Sequence, residues 1–411
     1  MTTTPLVPPV PAQTEAMAAL RAAVREFLAD ELAAGRFTPQ VDSWIAGWDP
    51  EFTRRLGEHG WLGMTIPSEY GGHDRSHLER YVVTEELLAA GAPVAAHWVA
   101  DRQVGPSLMR HGTDYQRRRY LPGIARGETY FAIGMSEPES GSDLASVRTR
   151  ANQVDGGWEI TGTKVWTSGA HHAHAFFVLA RSEPLDPAHR HDGLSQFIVD
   201  LDSPGIEIRP IKLLTGHHHF NEVVLDRVFV PDELVLGAPG DGWEQVTSEL
   251  SFERSGPERI LSTFPLAQAF AESLRGAPTS EVVDADLERL GRIAARAATL
   301  RQLSLAVAGA LTEGAAVDLP AALVKDLGTQ FEREVIDEVV AGTRIEPDPG
   351  SANDLARLSA EALLHAPGFT LRGGGGAWRV AGGEREEERE PAVGVGHGHC
   401  GFSCCRTEQP T

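Results

Sequence analysis

A chain of 411 residues with 37 basic against 58 acidic side chains and a net charge of -21 is long enough for two or three domains, each with its own core. That charge repels phosphate backbones and anionic lipid surfaces, which excludes nucleic-acid binding and membrane adsorption as primary roles. Its three cysteines, Cys400, Cys404 and Cys405, crowd one end and cannot staple a fold; with no spanning apolar run and no secretory start, the chain reads as cytoplasmic.

Residues 1–14, MTTTPLVPPVPAQT, read as a flexible lead. Met17, Leu20, Val24, Phe27 and Leu28 then fall at three- and four-residue spacings, the stripe of an amphipathic helix, with Arg21 and Arg25 outside it. Asp49-Pro50 supplies a cap and a first-turn residue for a second helix ending near Gly60. Helical pattern continues through HLERYVVTEELLAAG, and the segment from Gln103 to Glu128 predicts two short helices parted by His111-Gly112-Thr113. Residues 15–125 thus predict an α-helical domain.

The period then changes. WEITGTKVWTSG, AFFVLAR, SQFIVDL, GIEIRPI and FNEVVLDRVFVP are short β-branched and aromatic runs divided by Gly, Pro and Asp, which predicts a middle antiparallel β-domain over 126–240. From Gly242 the helical spacing returns through GWEQVTSELSFER, ERILSTFPLAQAFAESL and three longer segments, a C-terminal helical bundle over 241–373. The order α, β, α makes an α+β multidomain chain; without βαβ alternation or GxGxxG, a Rossmann domain is disfavoured. Residues 374–411, rich in Gly, Glu and Arg, lack apolar periodicity and read as a disordered or frame-altered tail.

Two stretches carry chemistry. The first is FAIGMSEPESGSDLAS, residues 131–146; the second is WEITGTKVWTS, residues 158–168. Small residues such as Ser136, Gly141 and Ser142 leave backbone amides open to a pyrophosphate. Both stretches resemble the flavin-site signature of acyl-CoA dehydrogenases, with PSEYGG, HGTDYQRRRYLPGIARGE and FNEVVLDRVFVPDELVLG in the family's order. The resemblance covers roughly residues 15 to 260. It implies FAD as cofactor, with Ile133, Met135 and Ser136 lining the flavin, Gly141 and Ser142 at the pyrophosphate or pantetheine, and Trp166 and Ser168 over the isoalloxazine ring. It further implies an acyl-CoA substrate contacted by Ser142, Phe252 and Arg254, an electron-transfer flavoprotein as electron acceptor, and a homo- or hetero-oligomer.

The reaction so implied takes an α-proton to a carboxylate base and a β-hydride to flavin N5. Many members carry the base near the C-terminus, where this chain has Gly373. Others place it on the first C-terminal helix, and LSFERSG matches that arrangement with Glu253. Pro257 lacks an amide hydrogen and its ring crowds the carbonyl of Glu253, so the helix should break there. Read from the residues alone, Glu253 could equally be a solvated charge beside Arg254 in a plain turn, and Glu258 is the second candidate base.

The family's later FAD-contacting elements are not recognisable in LRGAPTSEVVDADLE or VVAGTRIEPDPG. A base-poor or FAD-poor subunit of a mixed oligomer, or an oxygen-using flavin relative, therefore stays open. A reading-frame change near Gly374 would account for the tail, and resequencing the coding DNA tests it. His397, His399, Cys400, Cys404 and Cys405 imitate a zinc cluster without the spacing of one, so no metal is expected. His171, His172, His174, His217, His218 and His219 read as solvated or substrate-rim histidines.

Overall fold

The computed structural model describes residues 6–254, 256–369 and 371. Its N-terminal helices begin where the sequence supplies a cap. Helix α1 (Glu15–Ala33) opens at Thr14, whose hydroxyl accepts the Met17 amide, and α3 (Pro50–Glu58) opens at Asp49, which accepts the Phe52 amide at 2.9 Å. Between them lies a short α2 (Ser43–Ala46). Ser76 and Glu79 form a reciprocal capping box at the start of α4 (His77–Ala89), as do Thr113 and Gln116 at α7 (Asp114–Ala125), satisfying amides that a helix start would otherwise leave bare.

The periodicity missed one stretch. Helix α5 (Ala95–Val99) runs through a π-helical turn, Ala100–Val104, into α6 (Gly105–His111). The wider turn shifts the helical phase, so an apolar 3.6-residue pattern is not readable across it. Trp44, Phe52, Leu56, Trp61 and Trp98 pack these helices together.

The strands are β1 (Phe131–Gly134), β2 (Arg150–Val154), β3 (Gly157–Ser168), β4 (Ala175–Arg181), β5 (Leu194–Asp200), β6 (Ile206–Ile211), β7 (Phe220–Pro231) and β8 (Val235–Leu236). They form one sheet in the order β6-β7-β3-β2-β4-β5-β8, with β1 beside β4. The sheet is not purely antiparallel: β1 runs parallel to β4, and Arg150 of β2 meets Arg181 of β4 in parallel. Strand β4 is buried along its whole length, the reason its run AFFVLAR is apolar without alternation. Phe131, Phe176, Phe177, Phe197 and Trp158 share a core with Leu108, Leu121 and Ile124 of the preceding helices.

The C-terminal helices are α8 (Gly242–Arg254), α9 (Phe264–Gly276), α10 (Asp284–Thr312), α11 (Asp318–Gly342) and α12 (Asp354–Phe369); α9 to α12 pack around Phe270, Phe331 and Phe369, whereas Val246 of α8 packs against Leu179 and Leu194 of the sheet. Helix α8 stops at Arg254, and Pro257 opens a 3-10 turn, Pro257–Arg259. The run ERILSTFPLAQAFAESL is therefore not one helix; Thr263 and Pro265 start α9 only at Phe264. Among the described residues, no helix is long and apolar enough to cross a membrane. Gly373 and the tail with its His and Cys residues lie outside the described residues.

Candidate active site

The two signature stretches meet on the sheet. β1 delivers Ile133 and then Met135 and Ser136, all half-buried, and the Val165 amide of β3 donates to the Ser136 carbonyl at 2.9 Å. Below that contact, Lys164 is fully buried and its ammonium donates to the Glu137 carboxylate at 2.8 Å and to the Met135 carbonyl at 3.0 Å. Glu137 also accepts the backbone amides of Arg148 and Thr149 at 2.6 and 2.9 Å. One carboxylate thus ties together the SEPESGSD loop, the segment leading into β2, and β3. Burial pulls the Lys164 ammonium down to about 8 against the attraction of Glu137, which still leaves it protonated at neutral pH. Burial raises Glu137, but Lys164 and the hydrogen bonds to its carboxylate outweigh that and hold it below the usual range.

Between Lys164 and Thr167 the register of β3 against β7 slips. The irregularity places Trp166 at φ 59°, in the left-handed region, and turns its ring outward to 56% exposure while Lys164 and Thr167 stay buried. A large aromatic held in that region beside a half-buried Ser168 is a costly arrangement, of the kind that collects where a ligand is shaped. Gly141 and Ser142 are exposed on the loop held by Glu137, and a side chain at Gly141 would meet nothing within 4 Å. An outward indole, adjacent hydroxyls and an open glycine loop fit a planar cofactor with a diphosphate tail.

Phe252 and Glu253 belong to α8, whose last residue, Arg254, is buried. The hydroxyl of Ser248 on the same helix lies 3.2 Å from His111 Nε2 at the end of α6. Glu258, the second candidate base, is 1% exposed, and both its oxygens stand 3.3 Å from the Arg102 guanidinium.

The histidines are not all solvated. His171 packs against His172 and His218 with ring centroids 3.9 and 4.1 Å apart, and its Nδ1 lies 3.0 Å from the Asn221 amide. His219 is buried, stacked on His365, whose Nδ1 meets Asp42 at 3.2 Å. Burial first, then the neighbouring imidazoles, push His171 and His219 down to about 4, so both are neutral at pH 7. Among the described residues no group of three or more His, Cys, Asp or Glu could hold a metal.

Residue reasoning overlooked the Glu137–Lys164 pair, although both lie inside the quoted stretches, a signal that was available. The Arg102–Glu258 pair joins residues 156 positions apart and left no local signal.

Comparisons with known proteins agree with this geometry. Models of the acyl-CoA dehydrogenase N-terminal and middle domains match residues 14–128 and 132–228. The chain is 38% identical over 309 residues to the acyl-CoA dehydrogenase IpdE1 of Mycobacterium tuberculosis, covering 73% of this chain and 78% of that protein. It is 39% identical over 302 residues to FadE34 of the same organism, covering 71% of this chain but only 40% of that longer protein. Among solved structures, "Tcur3481-Tcur3483 steroid ACAD" superposes with TM-score 0.75 at 30% identity, over 88% of this chain and 94% of that one. The ChsE4-ChsE5 complex of M. tuberculosis superposes with TM-score 0.73 at 27% identity, over 89% and 95%. The chain therefore belongs to the acyl-CoA dehydrogenase family of FAD-dependent oxidoreductases.

Proposed function

We propose that the chain desaturates an acyl-CoA thioester between its α and β carbons, with Glu253 as the base. The observation that carries this reading is the tie between Ser136 and the Trp166–Ser168 segment, made by the Val165 amide and the Glu137–Lys164 pair. Bound FAD supplies the hydride acceptor. Ile133, Met135, Ser136, Trp166 and Ser168 would hold the flavin, with Gly141 and Ser142 at its pyrophosphate or at the pantetheine. Phe252, Arg254 and Ser142 would contact the acyl-CoA, and Glu253 would take the α-proton in a site that excludes water. The domain division 15–125, 126–240 and 241–373 is part of the same reading.

The similarity to a protein described as a steroid acyl-CoA dehydrogenase supports a bulky, ring-containing acyl group. We place the protein in the cytoplasm as an oligomer, passing electrons to an electron-transfer flavoprotein. A second reading makes this chain the FAD-poor subunit of a mixed oligomer, and it is favoured by relatives whose descriptions name two chains.

Anaerobic spectra of the purified protein with a panel of acyl-CoAs test both readings. Bound flavin should bleach, and Glu253→Gln should slow bleaching on the order of 10²–10⁴-fold. Equal bleaching in the variant removes Glu253 as base. A colourless protein that takes up flavin only beside a second related chain establishes the subunit reading instead.

A further inference from the structure

Five residues beyond Glu253 in the chain lies a buried ion pair that local helix chemistry does not require. Gly256 has φ -82° and ψ 168°, a conformation open to any residue, so its backbone does not call for glycine. The ion pair does constrain it: a Cβ at this position would meet the Glu258 carboxylate and the Arg102 guanidinium, the movable ends of two buried side chains, and would push the pair aside. Arg102 and Glu258 are 5% and 1% exposed, and the guanidinium lies 5.0 Å above the ring of Trp98, itself 1% exposed. Arg102 is aimed inward from the π-helical turn Ala100–Val104. The next residue back, Asp101, accepts the Gly63 amide at 2.7 Å and fixes that turn. On the other side, the Ser262 hydroxyl donates to the Glu258 carbonyl at 2.9 Å. The chain leaving α8 is thus held at the side chain and the backbone of one residue.

A buried pair of this kind contributes little net stability, because desolvation offsets the attraction; what it supplies is a defined position. We propose that Arg102, Glu258 and Gly256 form a positioning unit for the last turn of α8, and that this unit sets where Glu253 meets the acyl α-carbon. The proposal rests on the reading of Glu253 as base. None of the three touches the reacting atoms; they act through the main chain, and Glu258 is thereby committed to Arg102 rather than to proton transfer.

The test uses the FAD-loaded protein with a saturated acyl-CoA in D₂O under anaerobic conditions. Deuterium uptake at the α-carbon, followed beside flavin bleaching, reports proton abstraction, and amide exchange over 249–254 reports the order of the helix end. Gly256→Ala and the double variant Arg102→Met/Glu258→Gln should each slow α-exchange on the order of 10²-fold, since misplacement by about 1 Å can cost that much. Both should speed amide exchange while acyl-CoA affinity and flavin content stay near wild type. Arg102→Lys, which keeps a donor, should recover most of the rate. The double variant removes both charges and avoids a lone buried ion, so it should fold. Wild-type α-exchange in the double variant overturns the proposal, as does unchanged amide protection. If the wild type exchanges no α-proton with any acyl-CoA, the base reading falls and the catalytic half of the proposal falls with it. Amide exchange then decides the anchoring half by itself.

Discussion

Lys164 and Glu137 show how one buried residue pair can tie separate segments of the chain together. A lysine with no exposed surface keeps its charge only because a carboxylate and a carbonyl receive it. Lys164→Met should therefore destabilise the protein by about 3–5 kcal/mol in urea unfolding, the cost of leaving a buried carboxylate unpaired. The double variant Lys164→Met/Glu137→Gln should lose less than the two single losses added together, a direct measure of their coupling. Equal additive losses would show that the two charges act independently. These residues stood in plain view within the two signature stretches; their partnership did not, because a separation of 27 positions gives no hint of register. The same holds for His219, read as a solvated or substrate-rim histidine from a polar run and found buried against His365 of a distant helix.

Elements were readable where their punctuation is local. Asp49-Pro50 and Thr113 each state a helix start within a residue or two, and the structure places helices there. Thr113→Ala should cost on the order of 1 kcal/mol, by loss of the accepted Gln116 amide, and should leave flavin content unchanged; chemical denaturation checks it. Pro257 predicted a break after Glu253, and α8 ends at Arg254. Elements whose character depends on neighbours were misread. β1 looks like any short apolar run, and only its pairing with β4 makes part of the sheet parallel. The slip in β3 that exposes Trp166 likewise comes from matching β7 along twelve residues, not from its own composition. Trp166→Ala should relieve little strain yet weaken flavin retention, seen as loss of the yellow colour during dialysis.

For the whole molecule, buried and half-buried imidazoles set the response to acid. His97, bonded to Thr53 at 3.0 Å, is pushed by burial down to about 4; burial also takes His77 to about 3, and His171 and His219 to about 4. Each folded value lies below the ordinary value of 6.5, so on acidification the unfolded chain takes up protons first. Their contribution to stability is full above 6.5 and is lost as pH falls through 4, with His97 alone worth on the order of 3 kcal/mol across that window. Melting temperatures should fall progressively from pH 7 to pH 4, and a flat profile would contradict the burial of these rings.

The sequence by itself determined the α, β, α order, most helix starts, the break after α8 and the family, because each depends on residues close together in the chain. Tertiary structure alone decided the mixed sheet, the outward turn of Trp166, the packing of His219 against His365 and the pairing of Arg102 with Glu258. Those features arise where distant segments share one buried volume, and burial acts on whatever charges and rings arrive there, whatever their separation along the chain.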